Sequence, residues 1–126
     1  MRHRKAKNRL SKPSDQRRAL LRSLTTELFR HGRIITTEAR AKALRESADQ
    51  MVTLAKQALA AQGSPRALHA RRQAEAFILD GEVCRQLFVE IAPRFQERAG
   101  GYTQIYKTEP RRGDNAPQAL VSLIEG

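Results

Sequence analysis

RIITTEARAKALRESADQMVTLAKQALAA, residues 33–61, changes its periodicity once, and the place where it changes decides the fold. Arg33 to Thr36 sets two adjacent isoleucines before threonine, a β-branched run that suits a short strand. Thr37 then offers a hydroxyl as helix N-cap. From about Glu38 to about Ala61 the apolar residues Ala41, Leu44, Ala48, Met51, Ala55 and Leu59 step by three, four, three, four and four. That is one continuous stripe along a long helix.

Working towards the N-terminus, Pro13-Ser14-Asp15 predicts another helix start, with Ser14 as N-cap and Asp15 at the positive end of the dipole. Leu21, Leu24 and Leu28 make its buried face, Gly32 ends it, and Arg17, Arg18 and Arg22 fall on other faces, open to an outside partner. Working towards the C-terminus, Gly63-Ser64-Pro65 closes the long helix, and Ser64 and Pro65 begin a third as N-cap and first helical residue. This helix is expected to carry Leu68 and Ala74 inward. Asp80-Gly81 caps a fourth, with Val83, Leu87 and Ile91 inward and Pro93 just past its end. Gly100-Gly101 breaks the pattern. Tyr102 to Lys107 reads as a strand and Glu109 to Pro117 as a turn-rich loop. Ala119 to Ile124 reads as a last strand, with Ala119, Val121 and Leu123 alternating on one face, so the two strands form a hairpin. Tyr102 and Tyr106 fall on one face of their strand by this count; they either cover the sheet under a helix or stack on bases. The order is helix, strand, three helices, two strands. The expected fold is α+β in two layers, a small three-stranded sheet covered by helices.

Residues 13–126 suffice for one compact domain, preceded by a basic extension over residues 1–12, MRHRKAKNRLSK. Six of those twelve are Lys or Arg, none is acidic, and Leu10 is the only sizeable apolar residue after Met1. Such a segment is expected to be disordered alone and to order on its partner. The net charge of the chain is +11. Residues 1–45 hold 14 basic and 3 acidic residues, and residues 46–126 hold 10 of each, so the whole excess sits in the first third. A cationic end on a neutral body calls for a polyanion held at one place, and guanidinium forks match phosphate oxygens. Eighteen alanines and only six aromatics make a slim core, which should gain stability from binding.

Other chemistry is poorly represented. Apolar runs no longer than Ala58 to Ala61 are far below the ~18 residues of a membrane span, and the start has no apolar stretch of a secretory signal. It is Arg-rich and acid-poor, as an organelle transit peptide is, but lacks the amphipathic face. The single Cys84 permits no intrachain disulfide and reads as a buried thiol. His3, His31 and His69 fit no metal-ligand spacing, no Walker-type loop occurs, and Glu82, Glu90 and Glu97 read as a solvated face. No convergent set of catalytic groups emerges, so neither an enzyme nor a cofactor is expected. Arg112-Gly113-Asp114 matches an adhesion tripeptide by chance; a turn in which Asp114 braces the backbone while Arg111 and Arg112 project is the better reading.

Five segments in order resemble the bacterial-type large-subunit ribosomal protein seventeen family. They are Met1-Arg2-His3-Arg4-Lys5; Arg17 to Leu24; His31 to Thr37 with Ala41 to Arg45; Gly100-Gly101-Tyr102-Thr103; and Arg112-Gly113-Asp114-Asn115-Ala116-Pro117. The chain departs from the family's usual basic residue at Gln104, and residues 57–80 match poorly, as a lineage-specific excursion would. The resemblance implies a component of the large ribosomal subunit in the cytoplasm, on its outer side near the peptide tunnel exit. It also implies as partners the large-subunit (23S-type) RNA and a small neighbouring ribosomal protein, number thirty-two. RNA contacts are expected from Arg2, His3, Arg4, Lys5, Lys7, Arg9, Lys12, Arg17, Arg18, Arg22, Arg33, Arg40, Lys42, Arg45, Arg111 and Arg112. The alternative is a free-standing nucleic-acid-compacting or RNA-chaperone protein with the same charge.

Overall fold

Each element begins and ends where a local bond satisfies its open backbone groups. The computed structural model describes residue 10 and residues 12–124. Helix α1 runs Ser14–His31. Its cap position is Pro13, one residue earlier than the sequence suggests, and Ser14 is the first helical residue, with no side-chain cap. The proline carbonyl takes the Arg17 N–H at 2.9 Å, so the first turn closes without a hydroxyl. At the other end Gly32 adopts φ +82°, the left-handed stop that favours glycine, and its N–H reaches the Leu28 carbonyl at 2.7 Å.

Strand β1, Arg33–Thr37, passes directly into helix α2, Glu38–Ala60. Thr37 is the N-cap, accepting from the Arg40 N–H at 3.4 Å. The expected stripe is buried from Ala41 to Ala55, with Leu59 packed at its edge. Helix α3, Pro65–Phe77, is capped by Ser64 through the Ala67 N–H at 3.3 Å. Its buried stripe is Ala67, Ala70 and Ala74. Leu68, expected inward, is 49% exposed, because it stands one residue, about 100° of turn, off that stripe. The three alanines leave no bulk to hold α3 away from α2.

Asp80 caps helix α4, Gly81–Gln86, by accepting the Glu82 N–H at 2.9 Å. Val83, Leu87 and Ile91 point inward as expected, but the helix does not end before Pro93. It continues through a π-helical turn, Leu87–Ile91, into the short helix α5, Ala92–Arg94. Proline has no N–H to give, and its ring crowds the carbonyl four residues back. The widened turn, in which the Ala92 N–H reaches the Leu87 carbonyl, carries the chain past that conflict.

Strands β2, Thr103–Thr108, and β3, Gln118–Leu123, form the hairpin, and β1 pairs antiparallel with the far side of β3. The sheet order is β1-β3-β2, so the last strand is the central one. Its inner face presents Ala119, Val121 and Leu123, all buried against the helices together with Leu28, Leu44, Val52, Leu87 and Phe95. The outer face is a grid of three rows set by the register: Arg33–Ser122–Gln104, Ile35–Leu120–Tyr106 and Thr37–Gln118–Thr108. Tyr102 and Tyr106 do not share a face. Tyr102 lies outside the strand, just after Gly101 with φ +64°, so the two-residue alternation does not extend back to it. It is buried, its ring 5.1 Å from that of Phe95, while Tyr106 is 51% exposed on the outer face. The architecture is α+β, as the sequence predicts.

Candidate nucleic-acid interface

Helix α1 lies along α2 because Leu28 and Phe29 need a covered face, and this packing fixes where the arginines of its first turns emerge. Arg17 and Arg18 line a groove of about 530 Å³ whose other wall is Ala43, Glu46, Ser47 and Gln50 of α2, so two guanidinium groups face it together with the carboxylates of Asp15 and Glu46. The Arg18 guanidinium stands 5.6 Å from the centre of the Phe77 ring. Arg40 is half-buried one turn before Ala43 on the same stripe of α2, and Lys12 lies two residues before Ser14 in the chain. Arg22 Nε donates to the Phe77 carbonyl at 3.0 Å, so this arginine ties α1 to the end of α3.

A second basic group surrounds the start of α2. The Glu38 N–H donates to the Pro117 carbonyl at 3.0 Å, which docks the hairpin loop beside the helix. Lys42 Nζ lies 4.0 Å and Lys107 Nζ 3.8 Å from the same Glu38 oxygen, and Arg45 is exposed one turn further along α2. One carboxylate between two ammonium groups leaves the spot cationic. The loop tip is built by Asp114, which accepts the Ala116 N–H at 3.1 Å and takes Arg111 in two contacts, from Nε at 3.1 Å and from a terminal nitrogen at 2.5 Å. The Arg111 guanidinium, then the Ala116 N–H, hold the Asp114 carboxyl down at about 2. Arg111 thus braces the loop, and Arg112 is exposed without an ion pair among the described residues.

Arg33 stands apart, exposed at the opposite end of β1 from Thr37, four strand steps or about 13 Å away. Of the sixteen residues expected to touch RNA, the fold therefore brings Arg17 and Arg18 to one groove, while Lys12 and Arg40 stand near it in the chain without lining it. The fold brings Lys42, Arg45, Arg111 and Arg112 to the hairpin side. Arg22 is turned to α3 and Arg33 to the open sheet. Arg2, His3, Arg4, Lys5, Lys7 and Arg9, with the expected disorder of the extension, lie outside the described residues. Lys107 belongs to the second group and was missed by the sequence reading. The available signal was its parity: it alternates with Thr103 and Ile105 on the inward face, where a lysine fits only beyond the edge of the core.

No metal-binding cluster and no helix long and apolar enough to cross a membrane occur among the described residues. Cys84 is buried, and its thiol is pushed up chiefly by burial and then by Glu75, the opposite of what a nucleophile needs. His31 sits 3.0 Å from Glu27, a pair one helical turn apart at the end of α1.

Residues 20–124 match the family model described as ribosomal protein L17. The chain belongs to the ribosomal protein L17 family. It is 54% identical over 116 residues to the large ribosomal subunit protein bL17 of Caldanaerobacter subterraneus subsp. tengcongensis, covering 92% of this chain and 96% of the relative. The bL17 of Thermoanaerobacter sp. (strain X514) is 52% identical over the same length and coverage. The L17 match runs through residues 57–80, the segment whose sequence resembles the family least. As a member of this family of ribosomal proteins, the chain is not an enzyme.

Proposed function

We propose that this chain is a structural constituent of the large ribosomal subunit that binds and braces its RNA in the cytoplasm, beside a small neighbouring ribosomal protein, number thirty-two. The observation that carries this reading is the division of basic groups into two sites on one rigid body. The α1–α2 groove holds Arg17 and Arg18, with Asp15 and Glu46 also on its walls; the hairpin side holds Lys42 and Lys107 around Glu38, with Arg45 and Arg112 exposed. Two separated phosphate-binding sites on one domain, with a basic extension leading from the first, link RNA segments that would otherwise repel. Phosphate contacts position a protein without reading bases; selectivity then comes from the fixed spacing of the two sites matched to RNA shape. The internally braced hairpin loop suits this role, since a preformed loop loses little entropy when it docks.

Sedimentation tests the reading. A tagged copy expressed in bacteria should travel with the large subunit at near one copy per particle. It should be released by high salt together with few other proteins. A copy found mainly in nucleic-acid fractions free of subunits, or at many copies per particle, would favour the free-standing compaction protein instead.

A further inference from the structure

The outer face of the sheet has an open apolar row through its centre. Ile35, Leu120 and Tyr106 are register partners across the three strands. Ile35 is 61% and Tyr106 51% exposed. The row is about 10 Å wide, two strand spacings. The Tyr106 hydroxyl donates to Gln104 Oε1 at 2.5 Å, two residues back on the same face. Leu120 is the neighbour of Tyr106 across the strand pair. In the grid described above, Arg33 is the only charged side chain and no carboxylate occurs. Arg33 lies one row from Ile35, about 7 Å along the strand.

These three side chains alone are a small part of the roughly 1,200 Å² in total that a stable protein contact needs. They are ample for one nucleobase, whose stacking on an aromatic ring contributes on its own. A face with one guanidinium and no acidic group also suits a polyanion. We propose that this face is a stacking site for an unpaired nucleotide of RNA. Tyr106 is the platform, Ile35 and Leu120 form its apolar flank, and Arg33 contacts a neighbouring phosphate. The inference rests on the reading that the chain binds large-subunit RNA, and adds the kind of RNA element that reaches the face.

The chain has two tyrosines and no tryptophan, so Tyr106 is one of the two emitters in its intrinsic fluorescence. Tyr102 is buried with its hydroxyl bonded to Lys56, and Tyr106 is the accessible emitter. The full chain is titrated with single-stranded oligouridylate and oligoadenylate and with a blunt RNA duplex of equal length. Single strands should quench the emission and the duplex should not. Tyr106→Ala should remove the quenching and weaken single-strand binding by roughly 5- to 150-fold, the range of one lost stacking contact. Its salt slope and duplex binding should stay as in the wild type. Tyr106→Phe, which keeps the ring and loses the hydroxyl, should hold single-strand affinity near wild type, and Arg33→Gln should flatten the salt slope by about 1. Single-strand affinity unchanged in Tyr106→Ala overturns the stacking site. So does a variant whose only defect is a changed oligomeric state or a lost protein neighbour, since the face is then a protein contact. Salt-dependent RNA binding by a wild type in which Tyr106 is silent removes this inference alone; a wild type that binds no RNA removes the functional reading as well.

Discussion

Thr25 and Thr103 are buried with hydroxyls that find no hydrogen-bond partner among the described residues. A hydroxyl taken from water and left unpaired costs free energy, and valine has the same shape without it. Thr25→Val should therefore raise unfolding stability by about 1 kcal/mol in urea titration; a loss of similar size would show that a partner for the hydroxyl exists. Asp114 gives a second residue-scale expectation. Its folded pKa, about 2, lies below the ordinary carboxylate value of 3.8, so its contribution is present above roughly pH 4 and is lost as pH falls through 2. Nuclear magnetic resonance should find the Asp114 carboxyl titrating near 2, with the Ala116 amide shifting in step. A midpoint near 4 would mean that the Arg111 brace does not form in solution. Asp49 has the opposite sign. Burial raises its pKa, against the Tyr102 N–H and Arg45, so ionising it costs stability as pH rises through the carboxylate range.

At the scale of elements, helix α2 is the member that every layer touches. Leu44 is fully buried on its central stripe, and a core in which so many neighbours are alanine has few long side chains to relax into a hole. Leu44→Ala should cost about 2–5 kcal/mol, whereas Leu68→Ala, on the exposed side of α3, should stay within about 0.5 kcal/mol of wild type. Denaturant titration of the pair checks both, and equal losses would mean that Leu68 is covered in solution. The same two leucines show what the sequence could and could not disclose. The α2 stripe spans five steps and has one solution in phase, and Thr37, Ser64 and Asp80 are caps whose bonds stay within three residues. Helix α3 sets Ala67, Ala70 and Ala74 at i, i+3 and i+7, so its buried side is marked by alanine spacing, while its one leucine, the bulkier residue, stands off that stripe. Pro93 reads as a stop only if the preceding turn stays α-helical, and the π-turn removes that condition. At the interface the identity and crowding of the basic residues were legible, since charge can be counted. That Arg22 serves the Phe77 carbonyl, 55 residues away, is a product of packing that no local pattern encodes.

Across the whole molecule the charge is split between the extension and the body. Six basic residues lie in positions 1–12, while residues 46–126 carry no net charge. The folded body holds its basic groups at fixed spacing, in the α1–α2 groove and beside the hairpin, so the body suits the selection of an RNA shape. The extension holds six basic residues in twelve positions and no acidic one, so it suits affinity for phosphate in general. Counterion release makes log K fall with log salt at roughly −0.7 to −0.9 per phosphate neutralised. If about four of the six basic residues touch phosphates, deleting residues 1–12 should flatten the slope by about 3 units. Binding should weaken on cognate and scrambled RNA alike, because phosphate contacts read no bases. The ratio of the two affinities should survive, because Arg17, Arg18, Arg40 and the hairpin remain. Salt titrations of intact and truncated chain on both RNAs measure slope and ratio together. An unchanged slope would show that the extension is not the electrostatic anchor; a flattened slope with the cognate ratio gone would show that the extension, and not the spacing of the two sites on the body, selects the RNA.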